Sequence, residues 1–188
     1  TLLVDGSASM DYRSGPLSKY DYAATLAASL AWLALSHGDA AGCVLFDDRV
    51  RASVPARTRR SQLDGVVEVL ETPRGGRPTA FLPVLRGLAE TLPRRGLVVL
   101  VSDLLGDREG VFQGLKLLRK RGHDIVLLHV MDDDELDFPF EGPTRFEGLE
   151  VPDHVACNPR ALREGYLAAL GEFLAEARRR AASQLSLI

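Results

Sequence analysis

The stretch Thr1-Leu2-Leu3-Val4-Asp5-Gly6-Ser7-Ala8-Ser9 decides the fold. A short apolar run ends in a carboxylate, and two hydroxyls follow at alternate positions. A helix is expected soon after, beginning near Ser18-Lys19. In an open α/β sheet, ligands bind beyond the carboxyl ends of the strands. An acid and two hydroxyls placed there make a small cluster built from oxygen alone. Oxygen ligands suit hard divalent cations such as Mg2+ or Mn2+.

Outward from this stretch, helices and strands alternate. Residues 1–5 read as a buried strand. From Lys19 to about His37, Ala23, Leu26, Ala27, Leu30, Leu33 and Ala34 recur at three- and four-residue spacings, which predicts a helix ended by Gly38-Asp39. Ala41 to Phe46 is a second strand, Asp47-Asp48 a turn, and Val50 to Val54 an alternating edge strand. Ser61 to Leu70 and Phe81 to Leu92 read as helices separated by the loop Pro73-Arg74-Gly75-Gly76-Arg77-Pro78.

Leu97 to Val101 is a continuous apolar run, as in a strand covered on both faces. Asp107 to Arg121 is helical, and Asp124 to Val130 is the next strand. Residues 132–158 are acidic and then rich in Pro and Gly, and read as irregular. Asn158-Pro159 opens a last helix to about Ala182, with Asn158 as its cap. Leu185 to Ile188 reads as a short final strand. The pattern predicts an α/β fold: a doubly wound, mostly parallel sheet with one antiparallel edge strand and helices on both faces. Residues 1–188 form one domain. The chain opens inside a strand without an initiator Met, and is read as a fragment of a longer protein.

Composition narrows the function. The 188 residues carry 23 basic and 26 acidic side chains, a net charge of -3, which gives no global argument for a nucleic-acid partner. No run approaches the roughly 18 apolar residues of a membrane span, so no membrane contact is expected within this segment. The two cysteines, Cys43 and Cys157, do not make a disulfide framework, which favours a cytoplasmic location. Any membrane tether would lie outside the segment.

Three segments should meet at one edge of the sheet. The first carries Asp5, Ser7 and Ser9. The second carries Thr79, just before a helix. The third carries Asp103, at the end of the strand Leu97 to Val101. Asp-x-Ser-x-Ser after a strand, then a Thr and a strand-end Asp, is the order found in the metal-ion-dependent adhesion site (MIDAS) of von Willebrand factor A domains. The chain resembles that family.

The resemblance is closer to a bacterial branch of A domains known only as a domain of unknown function and found with MoxR-type AAA ATPases. It rests on Leu3-Val4-Asp5-Gly6-Ser7-Ala8-Ser9-Met10, Lys19-Tyr20-Asp21-Tyr22-Ala23-Ala24, Val44-Leu45-Phe46-Asp47-Asp48, Leu100-Val101-Ser102-Asp103-Leu104 and Phe146-Glu147-Gly148-Leu149-Glu150.

The resemblance implies that Ser7 and Ser9 ligate Mg2+ or Mn2+ directly, and that Thr79 does so directly or through water. Asp5 and Asp103 would hold water ligands from further out. A first shell without carboxylates keeps the metal electrophilic, ready for an Asp or Glu of a partner protein. Gly6, Met10, Gly76, Ala80 and Leu104, beside the ligand positions, are expected to border that partner. A MoxR-type AAA ATPase is the further partner implied. One departure stands out: Ala80 follows Thr79 where the branch commonly has Asp.

Other chemistry is less well supported. The alternative is a metal-dependent hydrolase or phosphotransfer enzyme using Asp5. A haloacid-dehalogenase-type enzyme needs a second carboxylate two residues on, where this chain has Ser7. A serine hydrolase needs Gly-x-Ser-x-Gly and a dinucleotide fold Gly-x-Gly-x-x-Gly, and neither occurs here. The expectation is a non-enzymatic binding domain. Asp132-Asp133-Asp134-Glu135 reads as a solvated run before a second cation site. Arg57, Arg59 and Arg60, the stretch from Lys116 to Arg121, and Arg178-Arg179-Arg180 read as helix-surface charge. His123 and His129 read as satisfied structural residues. Tyr20 and Tyr22 read as packing beside the site or in the core.

Overall fold

A computed structural model of the chain describes residues 1–149 and 154–184. The elements run β1 (Leu2–Asp5), a 3-10 turn (Ala8–Asp11), α1 (Lys19–Ser36), β2 (Ala41–Phe46), β3 (Val50–Arg57), α2 (Gln62–Leu70) and α3 (Phe81–Thr91). They continue through β4 (Gly96–Ser102), α4 (Arg108–Lys120), β5 (His123–His129), α5 (Asp133–Asp137), β6 (Thr144–Glu147), β7 (His154–Cys157) and α6 (Pro159–Gln184).

The main sheet has the order β3-β2-β1-β4-β5. β1 pairs in parallel with β2 and β4, β4 pairs in parallel with β5, and only β3 runs antiparallel, against β2. This is the doubly wound sheet with one antiparallel edge strand that the sequence predicts. β3 reaches Arg57, beyond the expected Val54, and takes in Pro55. An edge position tolerates a residue that cannot donate to the ladder.

Strand alternation builds two cores. Leu3, Val44, Phe46, Val98 and Leu100 face α3, α4 and α6, where Phe81, Leu85, Leu115 and Phe173 cover them. Leu2, Val4, Cys43, Leu45, Val99 and Val101 face α1 and α2, where Ala23, Ala27, Ala31 and Val66 cover them. Side chains of a strand point alternately to opposite faces, so an apolar run of this kind needs helices on both sides.

α1 starts where Ser18 and Asp21 cap each other: Asp21 N donates to Ser18 Oγ (3.0 Å) and Ser18 N donates to Asp21 Oδ2 (2.9 Å). This capping box ends the loop that follows Ser9 and sets the angle at which α1 leaves the sheet edge.

The stretch 132–158 departs from the expected irregular segment. It holds α5 and an antiparallel pair, β6 with β7. Phe138, Phe140, Phe146 and Tyr166 pack together beside the ribbon, with ring centroids 4.5–5.6 Å apart. These aromatics give a two-stranded ribbon a hydrophobic support, without which it is marginal in water. Asn158 caps α6 as expected, accepting from Arg160 N at 3.1 Å. The expected strand at 185–188 lies outside the described residues. Among the described residues no helix is long and apolar enough to cross a membrane.

Candidate metal centre

Chain connectivity reverses direction between β1 and β4, because β1 leads towards β2 on one side while β4 leads to β5 on the other. Such a switch leaves a crevice beyond the strand ends. Asp5 closes β1, and Asp103 follows the last residue of β4.

Asp5 is fully buried and spends both oxygens. Its Oδ1 accepts from Ser7 N (3.0 Å) and from Thr79 Oγ1 (2.9 Å), and its Oδ2 accepts from Ser102 Oγ (2.7 Å). The hydroxyls of Ser7 and Ser9 lie 3.1 Å apart, both buried. Burial pushes the Asp5 carboxyl up to about 6, with the Asp103 charge acting in the same direction and the bonds from Ser102 and Ser7 opposing it. The group is poised for a positive charge that the burial itself does not supply.

The structure therefore joins Asp5, Ser7, Ser9 and Thr79 in one buried cluster. Asp103 stands beside it rather than in it. Ser102 links the two, because its Oγ donates to Asp5 and accepts from Leu104 N at 3.0 Å. Asp103 Oδ1 accepts from Leu105 N (3.0 Å), while its Oδ2 receives the ammonium of Lys19 (2.8 Å). The sequence pattern alone does not assign Ser102 and Lys19 to the site. For Ser102 the sequence signal is its place at the strand end, directly before Asp103. Lys19 stands in the motif Lys19-Tyr20-Asp21-Tyr22-Ala23-Ala24 but lies 84 positions from Asp103, and nothing in the sequence pairs the two.

The loop bearing Thr79 is held from below. Ala80 N donates to Asp47 O (3.1 Å), and Ala8 N donates to Arg77 O (3.3 Å). Asp47 is buried and bound through both oxygens by Arg51 Nε (2.7 Å each). Gly75 passes directly over this pair, where a Cβ would overlap the Arg51 guanidinium. That close approach is why the loop needs glycine there.

Of the five residues expected to border a partner, three are interior. Met10 and Leu104 are 0% and 2% exposed and complete the two cores, and Gly6 is buried against Leu45. Only Gly76 is exposed, and Ala80 is half-buried. Flanking position in sequence does not give surface position, because the 3-10 turn after Ser7 folds Met10 inward. Leu104 takes a left-handed backbone (φ 57°), and its side chain belongs to the core that holds Leu3, Leu100 and Phe173.

The remaining expectations divide. Tyr20 is core, its hydroxyl donating to Leu70 O at 2.6 Å, whereas Tyr22 is exposed. His129 is satisfied by Asp103 O (2.9 Å), but neither ring nitrogen of the buried His123 has a hydrogen-bond partner among the described residues. The 132–135 run is engaged rather than merely solvated: Asp132 receives Ser14 N, Asp134 receives Tyr12, and Glu135 receives Lys19.

Two carboxylates and three hydroxyls could hold a hard divalent cation, since every donor is oxygen. Among the described residues no group of three or more His, Cys, Asp or Glu side chains is gathered as a metal site, so a cation here would depend on the hydroxyls of Ser7, Ser9 and Thr79 as well as on carboxylates.

The sequence pattern of the family described as "Protein of unknown function DUF58" matches residues 1–176. The chain belongs to that family. Curated relatives include uncharacterized protein Rv1480 of Mycobacterium tuberculosis and uncharacterized protein Mb1516 of Mycobacterium bovis. Each is 27% identical over 184 residues, 95% of this chain. This DUF58 chain spans 57% of their length.

Among solved structures, an aerotolerance-related membrane protein from Bacteroides fragilis superposes with a TM-score of 0.60 at 18% identity, covering 91% of this chain and 86% of that one. The conserved hypothetical protein BatB from Bacteroides thetaiotaomicron superposes with a TM-score of 0.56 at 15% identity, covering 91% and 85%. At these identities the likeness establishes a shared fold.

Proposed function

We propose that this DUF58 chain is a divalent-cation-dependent protein-binding domain. Asp5, Ser7, Ser9, Thr79 and Asp103 hold Mg2+ or Mn2+ and present it to a carboxylate of a partner protein. The observation that carries this reading is the buried, all-oxygen cluster in which Thr79 and Ser7 converge on one oxygen of Asp5. Bound there, the cation supplies an electrophilic position for an outside carboxylate. The hydroxyls would ligate, while Asp5 and Asp103 supply charge from behind.

A binding role is favoured over catalysis by Asp5 because both of its oxygens are already committed to three donors, leaving it poorly placed as a nucleophile or base. The absence of a disulfide framework in the sequence, with two cysteines only, is the ground for proposing a cytoplasmic location, and family resemblance the ground for proposing partnership with a MoxR-type AAA ATPase. The latter rests on association alone.

Calorimetric titration of Mg2+ and Mn2+ into the wild-type chain, Asp5→Ala and Ser9→Ala tests it. Saturable one-site binding that both substitutions abolish is the expected result. No binding by the wild type would sink the stand-alone metal site.

A further inference from the structure

Lys19 is the charged group at this site that a metal-ligand role leaves unused. It is the first residue of α1, and its side chain is 2% exposed. The ammonium lies between two carboxylates, 2.8 Å from Asp103 Oδ2 and 2.6 Å from Glu135 Oε1. Asp103 is itself 1% exposed. Glu135 is fixed in turn, because its Oε2 accepts from Asp132 N at 2.9 Å. A buried ammonium is retained only where counter-charges and hydrogen bonds replace its water. One of the two carboxylates assigned to the metal is thus already neutralised by a cation built into the chain.

We propose that Lys19 is a resident cation that competes with divalent metal for the charge of Asp103 and thereby sets the affinity of the site. The inference rests on the metal reading above. It follows from two features of the geometry. Asp103 has a single charge to share, and like charges held in a buried site repel with little screening. Glu135 gives the ammonium a second anion, so Lys19 remains paired when Asp103 turns its charge to the metal. The same arrangement keeps Asp103 from standing as a lone buried charge.

The test is calorimetric titration of Mg2+ and Mn2+ into wild type, Lys19→Met and Glu135→Gln, with Asp5→Ala as the blank and the metal-induced rise in Tm as a second readout. Lys19→Met keeps an unbranched side chain one atom shorter and removes its charge. It is expected to tighten metal binding at least about tenfold, because Asp103 then has its whole charge to give to the metal. Glu135→Gln leaves the ammonium to Asp103 alone and is expected to weaken binding severalfold.

Wild-type binding with Lys19→Met equal or weaker would overturn the inference, making Lys19 a support for Asp103, and would leave the metal reading standing. Should Lys19→Met not fold without metal, Glu135→Gln decides: affinity equal to or tighter than wild type overturns the inference. Absence of binding in wild type and Lys19→Met alike would overturn both readings.

Discussion

Thr79 Oγ1 donates to Asp5 Oδ1 at 2.9 Å, joining the loop before α3 to the end of β1 across 74 positions of sequence. This bond brings the second segment of the site to the first. Both partners are buried: loss of the Thr79 hydroxyl frees the loop but leaves Asp5 Oδ1 bound to Ser7 N, whereas loss of Asp5 also leaves the Thr79 hydroxyl without this acceptor.

Thr79→Val is isosteric and removes only the hydroxyl. It is expected to lower stability by about 1 kcal/mol, the usual value of a buried hydrogen bond, and to weaken Mg2+ binding at least about tenfold. Thr79→Ser should recover most of both. Urea unfolding and calorimetry of the three proteins check this, and full metal binding by Thr79→Val would remove Thr79 from the ligand set.

Asp5 makes the metal-free chain sensitive to pH. Its carboxyl is raised by burial from an ordinary value near 3.8 to about 6. A raised carboxyl favours the folded state below the unfolded value, and that stability is lost as pH climbs through the folded value. In EDTA, the contribution of Asp5 to stability should therefore fall between about pH 4 and pH 6 by as much as about 1.4 kcal/mol per unit and level off above, opposed by His129, whose imidazole is held below its ordinary value by burial. Asp5→Asn should flatten this slope and match or exceed the wild type in urea at pH 8, while losing metal binding. A wild-type curve that rises from pH 4 to pH 6 while that of Asp5→Asn stays flat would contradict the assignment.

How far the sequence reveals these features depends on their range. The strands of the main sheet are legible because Leu2-Leu3-Val4 and Leu97-Val98-Val99-Leu100-Val101 are apolar without break, and only burial on both faces explains that. Asp5, Ser7 and Ser9 are legible as a group because the spacing is local and follows a strand. The β6-β7 ribbon is not: its strands have four residues each, within a stretch whose acids and Pro/Gly read as loop. Its support comes from Phe138 and Tyr166, which adjoin it only after folding. The Lys19–Asp103 pair is hidden for the same reason, since Lys19 at a helix start looks like any surface lysine until α1 is laid beside β4. Met10 and Leu104 mislead because a backbone turn, not the residue type, decides that they point inward.

Cys43 lies in the middle of β2 with no exposed surface, and burial pushes its thiol up to about 12. The thiolate is the reactive form, so this cysteine is expected to be inert in the folded chain. In a Cys157→Ser background, a thiol reagent at pH 8 should label the chain only after denaturant unfolds it. Rapid labelling of the native chain would show that β2 opens, or that Cys43 is not core.

Ala80 opens α3 at its N-cap, where it makes no side-chain bond to the helix. Asp is among the best residues for that position, because its oxygen accepts from the first-turn N–H groups and its charge suits the helix dipole. Pro83 already removes one donor of that turn, leaving Leu82 N as the natural partner. Ala80→Asp is expected to stabilise the chain by about 1 kcal/mol. It also places a carboxylate beside Thr79, so Mg2+ affinity should rise. Ala80→Asn separates the effects: it caps nearly as well but adds no charge, so stability should rise without the gain in affinity. Thermal unfolding and calorimetry on the two variants distinguish the terms. Equal metal affinity in Ala80→Asp and Ala80→Asn would mean that a charge at this position does not reach the cation.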